Sequence, residues 1–308
     1  MNITRRAVLT VADQPRIKEL FRTNQQARKL VTRFVAGEAL EDALAVGREL
    51  AKDGITTTMD QLGENVNSVE AASAAVIGYV DTLQQLRAND LDPNISVKLT
   101  MLGMDLGDQV AKDNMVRILD ASRDVDGFVR IDMEGSDYTE RTMRMFGELH
   151  DIYGDHVGIV LQTYLHRTAQ DVIDMIERGA RVRLVKGAYA EPESVAIQSK
   201  KEADENFRML MRHLLDKGNY PAIATHDPKM IEDAIDYARR NTIPPDRYEF
   251  QMLYGVRTQE QQRLKKAGYN MRVYVPFGTE WYAYLTRRLA ERPANMWFFL
   301  SNLVRKGR

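Results

Sequence analysis

Eight short stretches rich in β-branched and aromatic residues alternate with longer stretches whose apolar residues recur at helical spacing, from Gly54 to Glu291. A strand that is followed by a helix and then by another strand returns to the same sheet through a right-handed crossover, so the strands are parallel. The predicted strands are Ile55–Leu62, Ile95–Leu102, Phe128–Glu134, Val157–Leu165, Arg181–Ala188, Pro221–Asp227, Tyr248–Tyr254 and Met271–Pro276.

A helical pattern fills each interval between these strands and follows the last one. The predicted helices are Val69–Arg87, Gln109–Asp124, Tyr138–Tyr153, Ala169–Arg178, Lys200–Lys217, Pro228–Asn241, Thr258–Ala267 and Thr279–Glu291. Eight such units close a barrel. An open doubly wound sheet is the alternative, but no G-x-G-x-x-G follows the first strand and no G-x-x-x-x-G-K-[ST] occurs. We therefore predict an α/β fold, a (β/α)₈ TIM-type barrel over residues 54–308, with an N-terminal helical segment over residues 1–53 and a C-terminal helix at Asn295–Val304.

Composition excludes several classes of function. The chain has 308 residues, with 43 basic against 44 acidic side chains, and this balance argues against a nucleic-acid binder. It has no cysteine, which excludes disulfides, thiolate catalysis and iron–sulfur clusters. The longest apolar stretch, Ala74–Val80, is too short for a transmembrane segment. The expectation is a cytoplasmic protein.

Polar residues end or interrupt nearly every predicted strand. The active site of a (β/α)₈ barrel lies at the carboxyl ends of its strands, whereas branched apolar residues fill an inert interior. Any one polar residue could be a paired structural charge, but together they predict a site of mixed charge, suited to a zwitterion or an anionic cofactor. These residues are Asp60, Glu64, Lys98, Asp132, Glu134, Gln162, Arg183, Lys186, Thr225, His226, Asp227, Gln251 and Tyr274.

The stretch Arg272–Arg292 combines a strand, a Pro-Gly turn and a helix. Helical spacing lets Tyr284, Arg287, Arg288 and Glu291 share one face. Two adjacent arginines suit bidentate capture of a small carboxylate or phosphate. The alternative is a solvated helix end, where basic residues complement the helix dipole.

Lys186 in the stretch RLVKGAY leaves three interpretations open. It could form a Schiff base, bind a phosphate or act as a counter-charge. A Schiff-base aldolase barrel is therefore one rival function, and a catalytically silent binding or assembly barrel is another. No metal site is predicted, because the five histidines show neither H-x-H nor H-E-x-x-H spacing.

Five motifs follow one another along the chain: RLVKGAY at Arg183–Tyr189, ATHD at Ala224–Asp227, FQMLYGV at Phe250–Val256, RVYVPFG at Arg272–Gly278 and YLTRRLAERPAN at Tyr284–Asn295. In this order they resemble the motifs of the proline dehydrogenases in their short, monofunctional bacterial form. The resemblance runs from about Ile55 to Asn295. It implies a distorted (β/α)₈ barrel that binds FAD and oxidises L-proline to 1-pyrroline-5-carboxylate by hydride transfer to flavin N5.

The same resemblance implies roles for individual residues. Lys98, Arg287 and Arg288 would bind the substrate carboxylate, and Tyr274 and Tyr284 would pack around the substrate ring. Arg183, near flavin N5, and Asp132 would be the catalytic pair, and Glu64 would close the site by pairing with an arginine of the last helix. The implied cofactor-binding residues are Gln162, Arg183, Val185, Lys186, Gly187, Ala188, Tyr189, Thr225, His226 and Glu291.

The resemblance also implies partners. Electrons would pass to a quinone, which suggests peripheral association with the inner membrane. The sequence shows no second catalytic region that would oxidise the pyrroline product. A separate pyrroline-5-carboxylate (glutamate semialdehyde) dehydrogenase is therefore expected to take that product.

Overall fold

The computed structural model describes the chain from residue 25 to residue 291, with the side chains of residues 28, 31–286 and 288. Eight parallel strands close a barrel in sequence order. The last strand pairs with the first, from Thr56 opposite Arg272 to Gln61 opposite Phe277. The predicted (β/α)₈ barrel is confirmed. The strands are β1 (Thr56–Gln61), β2 (Asn94–Val97), β3 (Phe128–Ile131), β4 (Val157–Gln162), β5 (Arg181–Val185), β6 (Ala222–Ala224), β7 (Glu249–Leu253) and β8 (Asn270–Phe277).

Helices surround the barrel and separate its strands. They are α1 (Gln25–Phe34), α2 (Leu40–Lys52), α3 (Val69–Ala88), α4 (Asp108–Asp124), α5 (Ser136–Tyr153), α6 (Thr168–Glu177), α7 (Lys200–Lys217), α8 (Pro228–Arg240), α9 (Thr258–Lys266) and α10 (Trp281–Glu291). Side chains cap several of them: Ser68 and Ser199 accept backbone N–H bonds at the starts of α3 and α7. Such caps satisfy N–H groups that a helix leaves unpaired.

The N-terminal part packs on the barrel. Helix α2 buries Ala43, Leu44 and Gly47 and contacts β1 and β8. A boundary between residues 53 and 54 stays a prediction. The predicted C-terminal helix Asn295–Val304 and the first 24 residues lie outside the described part of the chain.

The second strand is shorter than predicted. It ends at Val97, because the backbone then turns: the Met101 N–H donates to the Lys98 carbonyl, and the Leu102 N–H donates to the Leu99 carbonyl. Leu99, Met101 and Leu102 are nevertheless buried. An apolar run that packs within a buried turn has the composition of a strand, so sequence patterns do not separate the two.

Successive residues of each strand point alternately to the helices and to the barrel interior. Met59, Ile95 and Val129 are fully buried against the helices, and they alternate with Asp60, Ser96 and Arg130, which adjoin one another in the strand register. The barrel interior is therefore polar, and this polarity places ionisable groups beneath the carboxyl ends of the strands. Within residues 25–291, none of the helices combines the length and apolar character that crossing a bilayer requires.

Candidate active site

A cavity of about 410 Å³ opens at the carboxyl ends of the strands, a size within the roughly 300–1,000 Å³ of small-molecule sites. All eight strands or the residues just after them contribute to its lining, and α10 contributes two side chains. The structure brings most of the predicted site residues together in this lining: Lys98, Asp132, Gln162, Arg183, Val185, Lys186, Gly187, Ala188, Tyr189, Thr225, His226, Tyr274, Tyr284 and Arg288. Asp60, Glu134 and Gln251, which end or interrupt their predicted strands, also line it.

Asp132 joins two of the predicted site residues. Its Oδ1 accepts from Arg183 Nη1 over 2.7 Å, and its Oδ2 accepts from the Tyr274 hydroxyl over 2.8 Å. The guanidinium of Arg183 lies 5.2 Å from the centre of the Tyr274 ring. Burial, and then the charge of Asp132, raises the pKa of Tyr274 well above its ordinary value. The Tyr274 hydroxyl therefore keeps its proton and can donate a hydrogen bond at all ordinary pH values.

Lys98 is ion-paired rather than available as a bare cation. Its Nζ lies 2.8 Å from Asp60 Oδ1, and both side chains are buried. Burial alone would lower the pKa of Lys98, but the charges of Asp60 and Asp132 outweigh it and raise the pKa above its ordinary value. Asp60 lies within β1 and lines the cavity. Lys98 therefore brings a charge to the cavity that Asp60 largely balances.

Glu134 is a buried carboxyl group that lines the cavity. Burial raises its pKa to about 6, although hydrogen bonds from Thr100 oppose the shift. The Thr100 hydroxyl donates to Oε1 over 2.6 Å and the Thr100 N–H donates to Oε2 over 3.2 Å. The negative charge of Glu64 adds a smaller upward contribution to this pKa. Glu134 therefore keeps its proton to a higher pH than an exposed glutamate does.

Gln162 and Arg183 each keep one polar atom without a hydrogen-bond partner among the described residues. The Gln162 amide nitrogen donates to the carbonyls of Met133 and Glu134 over 3.0 and 2.9 Å, so its Oε1 is left as an acceptor. Arg183 likewise keeps Nη2 as a donor. Buried polar atoms are normally paired. An acceptor and a donor on neighbouring strands suit a ligand whose edge carries both kinds of group.

Lys186 lies between two carboxylates. Its Nζ is 2.6 Å from Asp204 Oδ1 and 3.2 Å from Asp227 Oδ2. Partial burial would raise the pKa of Asp204, but hydrogen bonds from Lys186 and Lys200 outweigh it and lower that pKa. A Schiff-base lysine must react as a neutral amine, whereas two carboxylates stabilise the ammonium. Of the three interpretations left open by the sequence, this geometry favours the counter-charge.

Gly187 follows Lys186 and has a left-handed φ of 117°. A Cβ at this position would lie 2.2 Å from ring atoms of Tyr164, which no real side chain tolerates. The neighbour that approaches the Gly187 backbone is the Tyr164 ring. Tyr164 was not predicted, because nothing in its sequence neighbourhood indicates this contact.

The loop after β6 is tied to the end of β7. His226 Nε2 accepts from the Leu253 N–H over 3.0 Å, and the His226 carbonyl accepts from Arg257 Nη1 over 3.0 Å. A neutral imidazole that accepts at Nε2 carries its proton on Nδ1. The Thr225 hydroxyl oxygen accepts from the Asp227 N–H over 3.1 Å. These bonds fix the orientation of both predicted cofactor-binding residues.

Helix α10 presents Tyr284 and Arg288 to the cavity. The guanidinium of Arg288 lies 5.3 Å from the centre of the Tyr284 ring, close enough for a cation–π interaction. The side chains of Arg287 and Glu291, predicted to share this face, lie outside the described residues. Glu64 lies in the loop after β1, outside the cavity lining, and its role as a gate stays a prediction.

Known proteins resemble this chain in sequence and in fold. The sequence profile of the proline dehydrogenase family matches residues 43–300. Proline dehydrogenase 2 of Bacillus subtilis strain 168 is 40% identical over 288 residues, covering 92% of this chain and 95% of that protein. The proline dehydrogenase of Deinococcus radiodurans is 37% identical over 305 residues, covering 98% of each chain.

A solved structure has the same fold over most of this chain. Proline utilization A (PutA) from Bdellovibrio bacteriovorus, inactivated by N-propargylglycine, superposes with a TM-score of 0.83 at 27% identity, covering 95% of this chain and 36% of that one. This chain therefore spans about a third of the length of that structure. With a family profile that matches most of its length and near-full-length relatives at 37–40% identity, the chain belongs to the proline dehydrogenase family.

Proposed function

We propose that this chain is an FAD-dependent enzyme that oxidises L-proline to 1-pyrroline-5-carboxylate, and that the cavity holds the isoalloxazine ring and proline together. Membership of the family supports proline oxidation, the first step of proline catabolism, as the reaction. The site assignment rests on one observation about Arg183. Asp132 fixes this cation at the cavity wall, and its Nη2 has no hydrogen-bond partner among the described residues.

The residues present fit a flavin. The edge of an isoalloxazine ring alternates acceptor and donor atoms, and Arg183 Nη2 and Gln162 Oε1 offer a donor and an acceptor. When bound, FAD supplies a hydride acceptor at N5. We propose that the flavin lies along residues from β4, from β5 and the loop after it, from the loop after β6, and from α10: Gln162, Arg183, Val185, Lys186, Gly187, Ala188, Tyr189, Thr225, His226 and Glu291.

Arg288 is the proposed main ligand of the substrate carboxylate. Its planar guanidinium can donate to the two carboxylate oxygens side by side, and we propose that Arg287, the preceding residue of the same helix, assists it. Lys98 contributes less, because Asp60 already offsets its charge. Tyr274 and Tyr284 supply apolar ring faces against which a pyrrolidine ring can pack.

The reaction removes a hydride from the ring carbon beside nitrogen and a proton from nitrogen, which leaves a carbon–nitrogen double bond. Nitrogen must therefore be unprotonated when the hydride leaves. A cationic site disfavours the ammonium form of the bound amine by like-charge repulsion. A positive Arg183 would stabilise the negative charge that reduction places on the flavin. Asp132 fixes the position of the Arg183 guanidinium. We propose that Glu64 closes the site and excludes water.

We propose that a quinone takes the electrons, with the protein bound peripherally at a membrane surface. A test is the reoxidation rate of proline-reduced protein: a soluble short-chain quinone should reoxidise it faster than oxygen does, and equal rates would count against this acceptor. A separate pyrroline-5-carboxylate dehydrogenase is the proposed consumer of the product. The bifunctional PutA of Escherichia coli supports a division of labour, since it is 29% identical to this chain over only 24% of its own length.

The function is tested by the visible spectrum of the purified protein after incubation with FAD and removal of the excess. Anaerobic L-proline should bleach the bound flavin band. Cyclopentanecarboxylate, which has the ring and carboxylate but no amine, should bind without bleaching and should compete with proline. A protein that retains no flavin, or a flavin that proline leaves oxidised, would refute the proposal.

A further inference from the structure

Arg183 is held inside the barrel by side chains from three other parts of the sheet. Its Nε donates to Gln251 Oε1 over 2.5 Å, and its Nη1 donates to Ser96 Oγ over 3.0 Å and to Asp132 Oδ1 over 2.7 Å. Only Asp132 among these partners carries a charge. The plane of the guanidinium is therefore set by Gln251 as much as by its ion pair.

The Gln251 amide has one orientation that satisfies both its neighbours. Its Nε2 donates to Glu249 Oε1 over 2.5 Å. Burial would raise the pKa of Glu249, but the charge of Arg272 and the hydrogen bond from Gln251 outweigh it, so that pKa lies below its ordinary value. A carboxylate only accepts hydrogen bonds. The amide nitrogen must therefore face Glu249, and the oxygen must face Arg183.

Arg272 anchors Glu249 near the end of the barrel that lies opposite the cavity. Arg272 Nε lies 3.1 Å from each carboxylate oxygen of Glu249, and Nη1 donates to the Thr57 carbonyl and to Asp92 Oδ2 over 2.7 and 2.6 Å. A continuous chain of hydrogen bonds thus runs through the barrel from Asp92 to Arg183. The residue that separates the Glu249 carboxylate from the Arg183 guanidinium is Gln251.

Space for this chain of hydrogen bonds comes from β6. In the strand register Arg183 is opposite Ala222, and Gln251 is opposite Ala224. With alanine at both positions, the side chain of Arg183 on β5 can pass over β6 and reach β7. The hydrogen bond between Arg183 on β5 and the neutral amide of Gln251 on β7 therefore spans three consecutive strands.

We propose that Gln251 is a positioning residue of the reaction, which fixes the Arg183 guanidinium and preserves its positive charge by keeping the Glu249 carboxylate out of direct contact with it. The inference rests on the proposed function, in which Arg183 lies beside the bound flavin. A second carboxylate against Arg183, added to Asp132, would offset the charge that stabilises the reduced flavin. A neutral acceptor orients the guanidinium without this penalty.

The test compares Gln251→Glu with Asn94→Asp in the flavin-loaded protein. Both changes place a carboxylate inside the barrel, but the Asn94 side chain accepts from the Thr58 hydroxyl and is not among the partners of Arg183. The readout is the apparent Kd of sulfite for the bound flavin, from the loss of its visible band, because sulfite binding also places negative charge on the ring. We expect Gln251→Glu to raise this Kd by about tenfold or more, and Asn94→Asp by about twofold or less, since the attraction between charges falls with distance.

Gln251→Met separates orientation from charge. It is close in size to glutamine and removes both hydrogen bonds without adding a charge. We expect kcat for proline to fall about tenfold, because Arg183 loses the hydrogen bond at Nε that fixes its guanidinium. KM should change little, and the sulfite Kd should rise less than in Gln251→Glu, because methionine adds no negative charge. This variant also decides the matter if Gln251→Glu does not fold.

Two results would overturn the inference: an unchanged kcat in Gln251→Met, or a sulfite Kd that Gln251→Glu and Asn94→Asp raise equally. A wild-type protein whose flavin does not respond to proline would instead overturn the proposed function. In an active wild type, either of the first two results overturns the role of Gln251 alone and leaves the proposed function standing.

Discussion

The Tyr274 hydroxyl donates to Asp132 Oδ2 over 2.8 Å, and the tyrosine comes from the last strand while the aspartate follows the third. The other oxygen of the same carboxylate holds Arg183. One carboxylate thus fixes a cation and an aromatic ring from opposite sides of the barrel. The position of both side chains in the cavity depends on Asp132.

Replacing Asp132 with asparagine preserves its shape and removes its charge. Arg183 would then be buried without a carboxylate partner, and its position in the cavity would loosen. We expect kcat/KM for proline to fall about 10–100-fold, because hydrogen bonds to charged groups contribute roughly 1.5–3 kcal/mol. Anaerobic stopped-flow reduction of the bound flavin measures this.

Tyr274→Phe is the matched control, since it removes one of the two hydrogen bonds of Asp132 and leaves the ion pair. A loss of less than about tenfold is expected, in line with roughly 0.5–1.5 kcal/mol for a typical hydrogen bond. Equal losses in the two variants would show that the charge of Asp132 is not what positions Arg183.

A second prediction concerns the arginine on α10. Lysine cannot reproduce the planar fork of Arg288 or its stacking on Tyr284. We expect Arg288→Lys to raise KM for proline about tenfold or more, with flavin content unchanged, because a bidentate pair becomes a single contact. Steady-state kinetics and the flavin-to-protein absorbance ratio measure the two quantities.

Arg263→Lys provides the comparison for that variant. Arg263 lies on the outer side of the barrel and pairs with Glu232 and Glu260. The conservative change there should leave KM as it is in the wild type. If Arg288→Lys also leaves KM unchanged, Arg288 does not bind the substrate carboxylate.

The order of the elements and the location of the cavity were predictable from the sequence, because both follow from periodicity. Strand–helix alternation is a local property, and the carboxyl ends of parallel strands meet at one mouth of the barrel. Lys98, Asp132 and Tyr274 were selected on this ground alone, and the structure brings them to one cavity.

The partners of these residues were not predictable, because they depend on register and on distant parts of the chain. Asp204, which holds Lys186, lies on α7 among many charged residues, and nothing local distinguishes it. Glu249 and Arg272 are 23 residues apart and lie near the other end of the barrel, where a charged residue at the start of a strand looks like a solvated one. The balancing of Lys98 by Asp60 was missed for the same reason.

A third prediction concerns Lys186 and its two carboxylates. Lys186→Met would leave Asp204 and Asp227 facing each other without their shared cation, so we expect it to lower the free energy of unfolding by about 1–3 kcal/mol at pH 7. The pKa of each carboxyl group is lowered, since bonds from lysines outweigh partial burial. The stabilisation is therefore full above their ordinary pKa and is lost as the pH falls through the lowered values.

Urea denaturation at several pH values measures this difference between wild type and variant. Lys200→Met is the control, because Lys200 is exposed and pairs with Asp204 alone of these two carboxylates; its effect should be smaller. A difference that grows on acidification would contradict the prediction.

Borohydride reduction of the wild type with a small keto acid should add no mass at Lys186, and a stable adduct there would favour the aldolase interpretation.

The last prediction follows from the buried carboxyl group of Glu134, whose pKa is raised from 4.5 to about 6 by burial. Between these two values the folded protein holds a proton that the unfolded chain has lost, so stability falls as the pH rises through this window. Glutamine has no such proton, and its amide can still bond the hydroxyl and the N–H of Thr100. The unfolding free energy of Glu134→Gln, relative to the wild type, should therefore rise between pH 4 and pH 7 by up to about 2 kcal/mol, from about 1.4 kcal/mol per pKa unit.

Glu140→Gln should show the opposite trend, because the hydrogen bond and charge of Arg167 lower the pKa of Glu140. Chemical denaturation of the three proteins across this range measures both slopes, and a flat or falling difference for Glu134→Gln would mean that Glu134 is ionised at neutral pH without a penalty.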